Sequence, residues 1–477
     1  MPRDNPPMRI ELDRRLGLPA YRQIYERIRK AILSGNLPPG AKLPSTRSLS
    51  SQLAIARGTV ELAYEMLAGE GYILGRAAAG TIVDPELAQK IALPARRARE
   101  AAPHSASPRD FPPPTPPLPF QLGVPAFDAF PRKLWSRLVA RRARGLSTLA
   151  MVYQDPAGYA PLRQAIVNYL AIARGIACTV EQVFVTAGFQ GAIGLITHAL
   201  LGKGDAVWVE DPGYFRAREA FILAGAAPVP VPVDSDGLDV AAGIARAPAA
   251  RFAMVTPSHQ SPLGVSLALP RRLALLAWAT SRDAWIIEDD YDSEFRYRGR
   301  PLPALKSLDA AGRVLYVGTF SKVLLPGLRL GYLVVPEGET RRFARAADLL
   351  APIPSLLDQM TVADFIAQGH FARHIKRMRR LYGERRAALV EALAGQLGDR
   401  LTIADATGGM QLLARLAPGE DDLALAARAH ARGLAPTALS ATAVEAKCGP
   451  GLLLGFTNIP AASATRAARR LREALED

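Results

Sequence analysis

The feature that most restricts the fold is an apolar run that ends in a lysine. Val314-Leu315-Tyr316-Val317 reads as a strand, and it leads straight into Gly318-Thr319-Phe320-Ser321-Lys322, then Leu325-Pro326-Gly327-Leu328-Arg329 and Tyr332. Such a run must be buried in a sheet, so a primary amine lands at a buried strand end with a tight turn and a guanidinium after it. A lysine there can form an imine with an aldehyde, and the arginine can hold a phosphate through two parallel hydrogen bonds. A strand-loop whose lysine merely stretches out to water fits this stretch equally well.

An upstream stretch separates the two readings. Trp285-Ile286-Ile287-Glu288-Asp289-Asp290-Tyr291 is a second apolar run closing in carboxylates and a phenol, with Asp289 33 residues before Lys322. Pyridoxal 5'-phosphate needs an acid at its ring nitrogen, a phenol near its ring oxygen, a lysine for its aldehyde and donors for its phosphate. Asp289, Tyr291, Lys322 and Arg329 supply these in chain order. Each sits at a strand end, where open α/β sheets bind ligands.

Further stretches fit the same sheet. Val183-Phe184-Val185-Thr186-Ala187-Gly188-Phe189-Gln190 reads as strand, glycine turn and helix start, and a helix N-terminus is an anion site. Val207-Trp208-Val209-Glu210-Asp211-Pro212-Gly213-Tyr214 ends in a ring able to stack on a planar heterocycle. Thr256-Pro257-Ser258-His259-Gln260-Ser261-Pro262-Leu263-Gly264 is a loop in which His259 either meets a cofactor or satisfies a carbonyl. Strands and helices alternate from about 180 to 335, the pattern of a mostly parallel sheet covered on both faces. Residues 359–386 read as one long basic helix, and Gly408–Leu413 and Leu452–Phe456 as strands of a small α+β subdomain covering roughly 365–477. Arg137, Arg141, Arg142 and Arg144 share a helical stretch, read as a solvated face or, less simply, a second DNA-contacting surface.

The first 84 residues carry a different pattern. Apolar residues at 21, 24, 25, 28 and 32 have helical spacing. Ser45 is placed to cap a helix burying Leu49 and Leu53, and residues 57–67 form another burying Val60, Ala63, Tyr64 and Leu67. Two short helices across a tight turn make a helix-turn-helix. Gly71–Leu74 and Gly80–Val83 then alternate like the two strands of a wing. Arg57 and Thr59 fall where a recognition helix meets base edges and phosphates, whereas a plain helical bundle needs neither.

Between the two parts, residues 85–119 are rich in proline and arginine, including Pro112-Pro113-Pro114-Thr115-Pro116-Pro117 and Arg96-Arg97-Ala98-Arg99. Such a segment buries little and reads as an extended tether, with residues 86–99 as a possible short helix. The 477 residues allow two to four domains, and 49% hydrophobic with 22% charged residues is ordinary for a soluble globular chain. Two cysteines, Cys178 and Cys448, exclude a disulfide scaffold and fit a cytoplasmic setting. No apolar run is long enough to cross a membrane, and Met1-Pro2-Arg3-Asp4 does not open a signal peptide. The net charge of +15 suits a polyanionic partner. Residues 1–84, with twelve Lys/Arg against eight Asp/Glu, hold little more than their share of it.

Two resemblances follow from these motifs. From Gln121 to about Ala467 the chain resembles the fold-type I aminotransferases, and EDDYDSEF, GTFSK and PGLRLGY resemble the aminotransferase-like half of MocR-type regulators. Residues 19–83, with LPSTR, ARGTVELAYEMLAGEGYI and GTIV, resemble the winged helix of GntR-type regulators. The implied fold is an N-terminal winged helix-turn-helix (1–84), a linker (85–119) and an α/β aminotransferase-like domain (120–477) with a small C-terminal α+β subdomain. The resemblance implies a Schiff base at Lys322, with Asp289 at the ring nitrogen, Tyr291 at the ring oxygen and Tyr214 stacking. It also implies a phosphate site of Arg329, Thr319, Gly188, Phe189 and Gln190, and a Tyr153 that reaches the cofactor phosphate of a second subunit in a head-to-tail homodimer. Arg47, Arg57, Thr59 and Gly80 would face double-stranded DNA carrying paired half-sites. The implied function is a regulator sensing the cofactor or an amine or amino-acid-type effector. The alternatives are a genuine aminotransferase with an accessory DNA-binding module, and a DNA-binding protein whose large domain serves only for dimerisation.

Three departures qualify the resemblance. Ala56 replaces the family's usual serine, Gly58 weakens the start of the second helix, and Leu263 stands where threonine is usual. A fourth feature is an absence. Fold-type I transaminases grip the substrate carboxylate with an arginine near the C-terminal strands, but between Arg432 and Arg466 this chain has no arginine, and Lys447 is the only fixed cation. Poor transaminase activity is expected.

Overall fold

The computed structural model describes residues 10–13, 17–76, 80–87, 116–299, 302–350 and 354–476. The chain divides into two compact units, Met1–Pro113 and Pro114–Asp477. The expected helix over 86–99 falls, beyond its first two positions, outside the described residues, as do the linker arginines.

Among the described residues the smaller unit holds three helices and a hairpin: α1 (Ala20–Leu33), α2 (Thr46–Leu53), α3 (Arg57–Gly69), β1 (Ile73–Arg76) and β2 (Gly80–Val83). Ile24, Tyr25, Ile28 and Ile32 of α1 pack with Leu49, Val60, Ala63 and Leu67 into one core. The Ser45 hydroxyl accepts from the Ser48 amide at 3.1 Å and starts α2. Ala54, at φ +50°, turns the chain out of it. The Tyr64 hydroxyl donates to the Pro44 carbonyl at 2.9 Å and fixes the approach to α2. The hairpin is antiparallel, with Ile73 opposite Val83.

The larger unit is built on an eight-stranded sheet of β3 (Val183–Thr186), β4 (Ala206–Asp211), β5 (Ala227–Asp234), β6 (Gly237–Leu238), β7 (Phe252–Val255), β8 (Trp285–Asp290), β9 (Val314–Thr319) and β10 (Gly331–Val334). Their order is β3-β10-β9-β8-β7-β4-β5-β6. Strands β5, β4, β7, β8 and β9 run parallel, while β10 is antiparallel to both neighbours and β6 to β5. Both faces are covered, as parallel strands require. Phe184, Val209, Met254, Ile287 and Val317 pack on one side, and Trp208, Ala253, Val255, Ile286 and Val314 pack elsewhere. Beyond it, β11 (Leu401–Ile403), β12 (Gln411–Leu416), β13 (Thr437–Ala438) and β14 (Gly451–Gly455) form a small antiparallel sheet in the order β11-β12-β14-β13.

Two expectations are corrected. Residues 359–386 are not one helix but most of one, Leu356–Ala367, and most of another, His370–Leu397. Gly369, at φ +72°, adopts a left-handed turn that cannot continue a helix. The arginines of the helix Arg132–Arg144 are not simply a solvated face, because Arg141 and Arg142 both pair with the buried Asp364, at 2.6 Å (Nη2) and 2.8 Å (Nε).

Candidate functional site

The site lies at the ends of β8 and β9. Because β8 alternates, Glu288 and Asp290 point to one side and Asp289 to the other. Glu288 accepts the amides of Leu305 and Lys306 at 2.8 Å each. Asp290 meets Arg174 Nε at 2.7 Å and accepts the Tyr316 hydroxyl at 2.5 Å. Asp289 is buried, and no hydrogen bond among the described residues ends on its carboxylate. Burial first, then the fields of Asp290, Glu210 and Asp292, push it well above the usual carboxylate range, and Lys322 only partly offsets them. A buried carboxylate among acids is costly for the chain alone and is relieved by a cation beside it. A protonated pyridine nitrogen is such a cation, so the donor set fits pyridoxal phosphate.

Lys322 follows β9 on its own short loop. Burial lowers its amine below the ordinary ammonium range, against the fields of Asp292 and Asp289. Its Nζ donates to the Gly123 carbonyl at 3.3 Å. Gly123 has φ +69°, a conformation that favours glycine, and a Cβ built there would lie 2.1 Å from Nζ and would push the amine from its present position. Sequence reading missed this partner, since nothing links two positions 199 residues apart. His374, on the helix His370–Leu397, supports the same loop through a 2.9 Å contact from Nε2 to the Val323 carbonyl. Burial lowers its imidazole to about 4. The unfolded chain therefore binds this proton first, and the contribution of His374 is complete above about 6.5 and fades as pH falls towards 4. His374→Gln keeps a donor that does not titrate. Between pH 7 and 4.5 the wild type is expected to lose up to about 2 kcal/mol relative to this variant, read from urea midpoints.

The remaining predicted residues fall into three groups. Gly188 opens the helix Gly188–Leu200, and a Cβ on it would stand 4.0 Å from Arg329 Cζ, so the helix start and the guanidinium face each other. Phe189 and Gln190 belong to that first turn, and Thr319 ends β9 with its Oγ1 accepting from the Ser321 amide at 3.1 Å. Tyr214 stands against Phe189 edge-on, with centroids 5.7 Å apart, and burial followed by Asp289 raises its hydroxyl. Tyr291 approaches His259, its hydroxyl 3.0 Å from Nδ1. Tyr153 is fully exposed, in a segment where Leu149, Met151 and Val152 are exposed too, so it is not part of its own chain's site. Glu210 was also missed. Burial pushes its carboxyl up to about 7, although it accepts Thr256 Oγ1 at 2.6 Å and Gln260 Nε2 at 3.1 Å. It holds the 256–260 loop in place.

In the smaller unit Arg47 and Arg57 are exposed and Thr59 is half-exposed. Arg57 Nε pairs with Glu61 at 2.7 Å, one turn on. Ala56 provides no side-chain cap, so amides at the start of α3 remain available for phosphate. Gly80 begins the second wing strand at φ +78°, with Lys42 Cε 3.6 Å from where its Cβ would be. Lys42, bridged to Ile82, thus joins the wing, a neighbour that spacing did not disclose.

Known proteins match both units. Residues 124–449 match the family Aminotransferase class I and II, and residues 20–83 match the bacterial regulatory proteins, gntR family. The chain is 39% identical over 473 residues to "Probable rhizopine catabolism regulatory protein MocR" of Rhizobium meliloti, covering 98% of this chain and 95% of that one. It is 35% identical to the HTH-type pyridoxine biosynthesis transcriptional regulator PdxR of Corynebacterium glutamicum, covering 91% of each. Among solved structures, LysN, the alpha-aminoadipate aminotransferase of Thermus thermophilus complexed with N-(5'-phosphopyridoxyl)-L-leucine, superposes with a TM-score of 0.68 at 29% identity, over 75% of this chain and 92% of that one. Fold and site thus define a class in which a winged helix is joined to a fold-type I aminotransferase-like domain. The chain belongs to the MocR-type regulators of the gntR superfamily. Among the described residues no helix is long and apolar enough to cross a membrane.

Proposed function

We propose that this protein regulates transcription by gripping operator DNA with residues 1–84 and by sensing pyridoxal 5'-phosphate, or an amine or amino-acid-type effector that meets it, at Lys322. Residues 85–119 are the tether between the two tasks. The observation that carries this reading is the opposition at the ends of β8 and β9: an amine pushed down by burial and a carboxylate pushed up by it. When bound, pyridoxal phosphate supplies an aldehyde open to primary amines. Lys322 holds that aldehyde, Asp289 keeps the proton on the ring nitrogen, Tyr291 donates to the ring oxygen and Tyr214 covers one ring face. Arg329, Thr319 and the turn of Gly188, Phe189 and Gln190 hold the phosphate. The exposed Tyr153 completes the site of a second copy in a head-to-tail homodimer, which sets two winged helices on paired half-sites.

The test combines two measurements on the full chain. Purified protein incubated with pyridoxal phosphate and reduced with borohydride is expected to carry a pyridoxyl group on the peptide containing Lys322. Its affinity for promoter DNA is expected to differ between cofactor-loaded and cofactor-free forms. A protein that neither retains the group nor responds in DNA binding would remove the proposal.

For the DNA surface, Arg57→Ala is expected to cost about 1–3 kcal/mol of operator binding if its guanidinium reads a base. Lys42→Ala is expected to weaken binding to all sequences alike and lower the salt slope by about 1. Fluorescence anisotropy across a salt series separates the two.

A second reading, a working aminotransferase, draws on the likeness to LysN. Against it, Lys447 is exposed, and β14, the nearest strand, is entirely buried and apolar, with Leu452, Leu453 and Leu454. Rapid conversion of several amino acids to keto acids would favour it.

A further inference from the structure

His259 has more contacts than a loop histidine needs. Its ring is buried, and Nδ1 lies 3.0 Å from the Tyr291 hydroxyl and 3.1 Å from Asp292 Oδ2. Asp292 is itself buried, and its carboxylate oxygen can only accept. Of the two contacts, only the one to Tyr291 is a hydrogen bond; a hydrogen carried on Nδ1 would be donated to the Tyr291 oxygen, with the buried carboxylate of Asp292 alongside favouring that tautomer. With that acceptor site occupied, the phenol's own hydrogen is left to point away from the imidazole. The ring is also held mechanically. A Cβ at Gly409, in the loop leading to β12, would lie 2.1 Å from His259 Cε1, and one at Gly264 would lie 3.3 Å from Nε2. Gly409 is anchored in turn, because its amide donates to the Phe295 carbonyl at 2.8 Å and its carbonyl accepts the Tyr297 hydroxyl at 2.7 Å.

We propose that His259 is a positioning residue: it sets the direction of the Tyr291 hydroxyl, and through Gly409 it makes that direction sensitive to the position of the small sheet. This rests on Tyr291 serving the ring oxygen of pyridoxal phosphate, as proposed above. The Gly409–His259–Tyr291 contact is a packed route between the small sheet and the cofactor site. The charged groups around the imidazole are Asp292, with Arg174 and Arg296 in the wall of the same small cavity, and the fields of Asp292, Asp289 and Glu210 bear on Tyr291.

The test reads the absorbance of the bound cofactor against pH in the full-length protein. Tyr291→Phe removes the phenol and is expected to raise the midpoint of the spectral titration by about one pH unit. His259→Phe keeps the ring's bulk but not Nδ1, and a shift of the same sign is expected. His259→Asn, which retains a donor near the Nδ1 position, is expected to return the midpoint towards wild type. The double variant H259F/Y291F is expected to shift no further than Y291F, because the two residues act in series. Gly409→Ala, which presses on the imidazole, is expected to move the midpoint in the same direction while leaving Tyr291 intact. An unchanged midpoint in H259F, or fully additive shifts in the double variant, would overturn the inference alone. A wild type with no cofactor band would remove the sensing proposal and this inference with it. If H259F fails to fold by circular dichroism, H259N and G409A decide: wild-type midpoints in both H259N and G409A overturn the proposal, and a shift in G409A with none in H259N supports it.

Discussion

Lys322→Ala is expected to abolish capture of pyridoxal phosphate outright: after borohydride treatment no pyridoxyl group should remain on the peptide that carries the wild-type label. The loss should be complete, because the reaction needs a nucleophilic nitrogen at the end of β9. Lys322→Arg keeps a cation there but supplies none, since guanidinium does not give up its proton in proteins. The two variants separate charge from nucleophilicity. If the amine matters only as a partner for Asp289 and Asp292, K322R should behave as wild type; if it captures an aldehyde, both variants should be silent. In the wild type, the rate of capture should rise with pH as the amine deprotonates. Its midpoint should lie below the ordinary lysine value of about 10.4, because burial disfavours the charged form. Cofactor-free DNA binding should survive in both variants, since α1 to β2 have a core of their own. The change in DNA affinity on adding cofactor or amine should disappear. A variant that keeps this response while losing the covalent label would show that sensing does not pass through Lys322.

What could be read from the residues, and what could not, divides along chain distance. The helices of the winged unit announce themselves because their apolar spacing is local, as does the Ser45 cap three residues from its partner. The strand ends of the larger unit are legible for the same reason, since a run such as Trp285 to Asp290 must be buried and must end somewhere. The role of each carboxylate in Glu288-Asp289-Asp290 is less visible. Alternation says that one faces away from the other two, but which side is the site depends on Arg174, Leu305, Lys306 and Tyr316, which only the fold brings there. The Gly123 contact with Lys322, and the pressure of Gly409 on His259, have no signature in the order of residues. The break at Gly369 was a single glycine in a stretch whose helical pattern continues on both sides, and pattern alone does not say whether such a residue bends out or stays in.

Asp290→Ala puts that division of labour to a quantitative test. Asp290 and Arg174 are almost wholly buried, with side chains 2% and 5% exposed, and Asp290 also accepts the Tyr316 hydroxyl. Against the burial that disfavours its charge, Asp290 holds the Arg174 guanidinium above its ordinary value. Removing the carboxylate leaves a buried guanidinium without its counter-ion and is expected to destabilise the larger unit by about 3–5 kcal/mol. All four tryptophans, Trp135, Trp208, Trp278 and Trp285, belong to this unit, so their fluorescence in a urea titration reports it without interference from the winged helix. Asp290→Asn keeps an acceptor for Tyr316 and should lose less. Replacing both charges, as in Asp290→Leu with Arg174→Met, should recover much of the loss, because an apolar pair of similar volume avoids the desolvation cost. The consequence for the site runs the other way. Asp290 is one of the charges that push Asp289 upward, so its removal should let Asp289 ionise more readily and hold a protonated ring nitrogen at least as well. Stability should therefore fall while cofactor affinity, measured in the folded protein at low denaturant, does not. A parallel fall in both would mean that Asp290 belongs to the cofactor site itself, and that strand alternation is not what separates the two carboxylates.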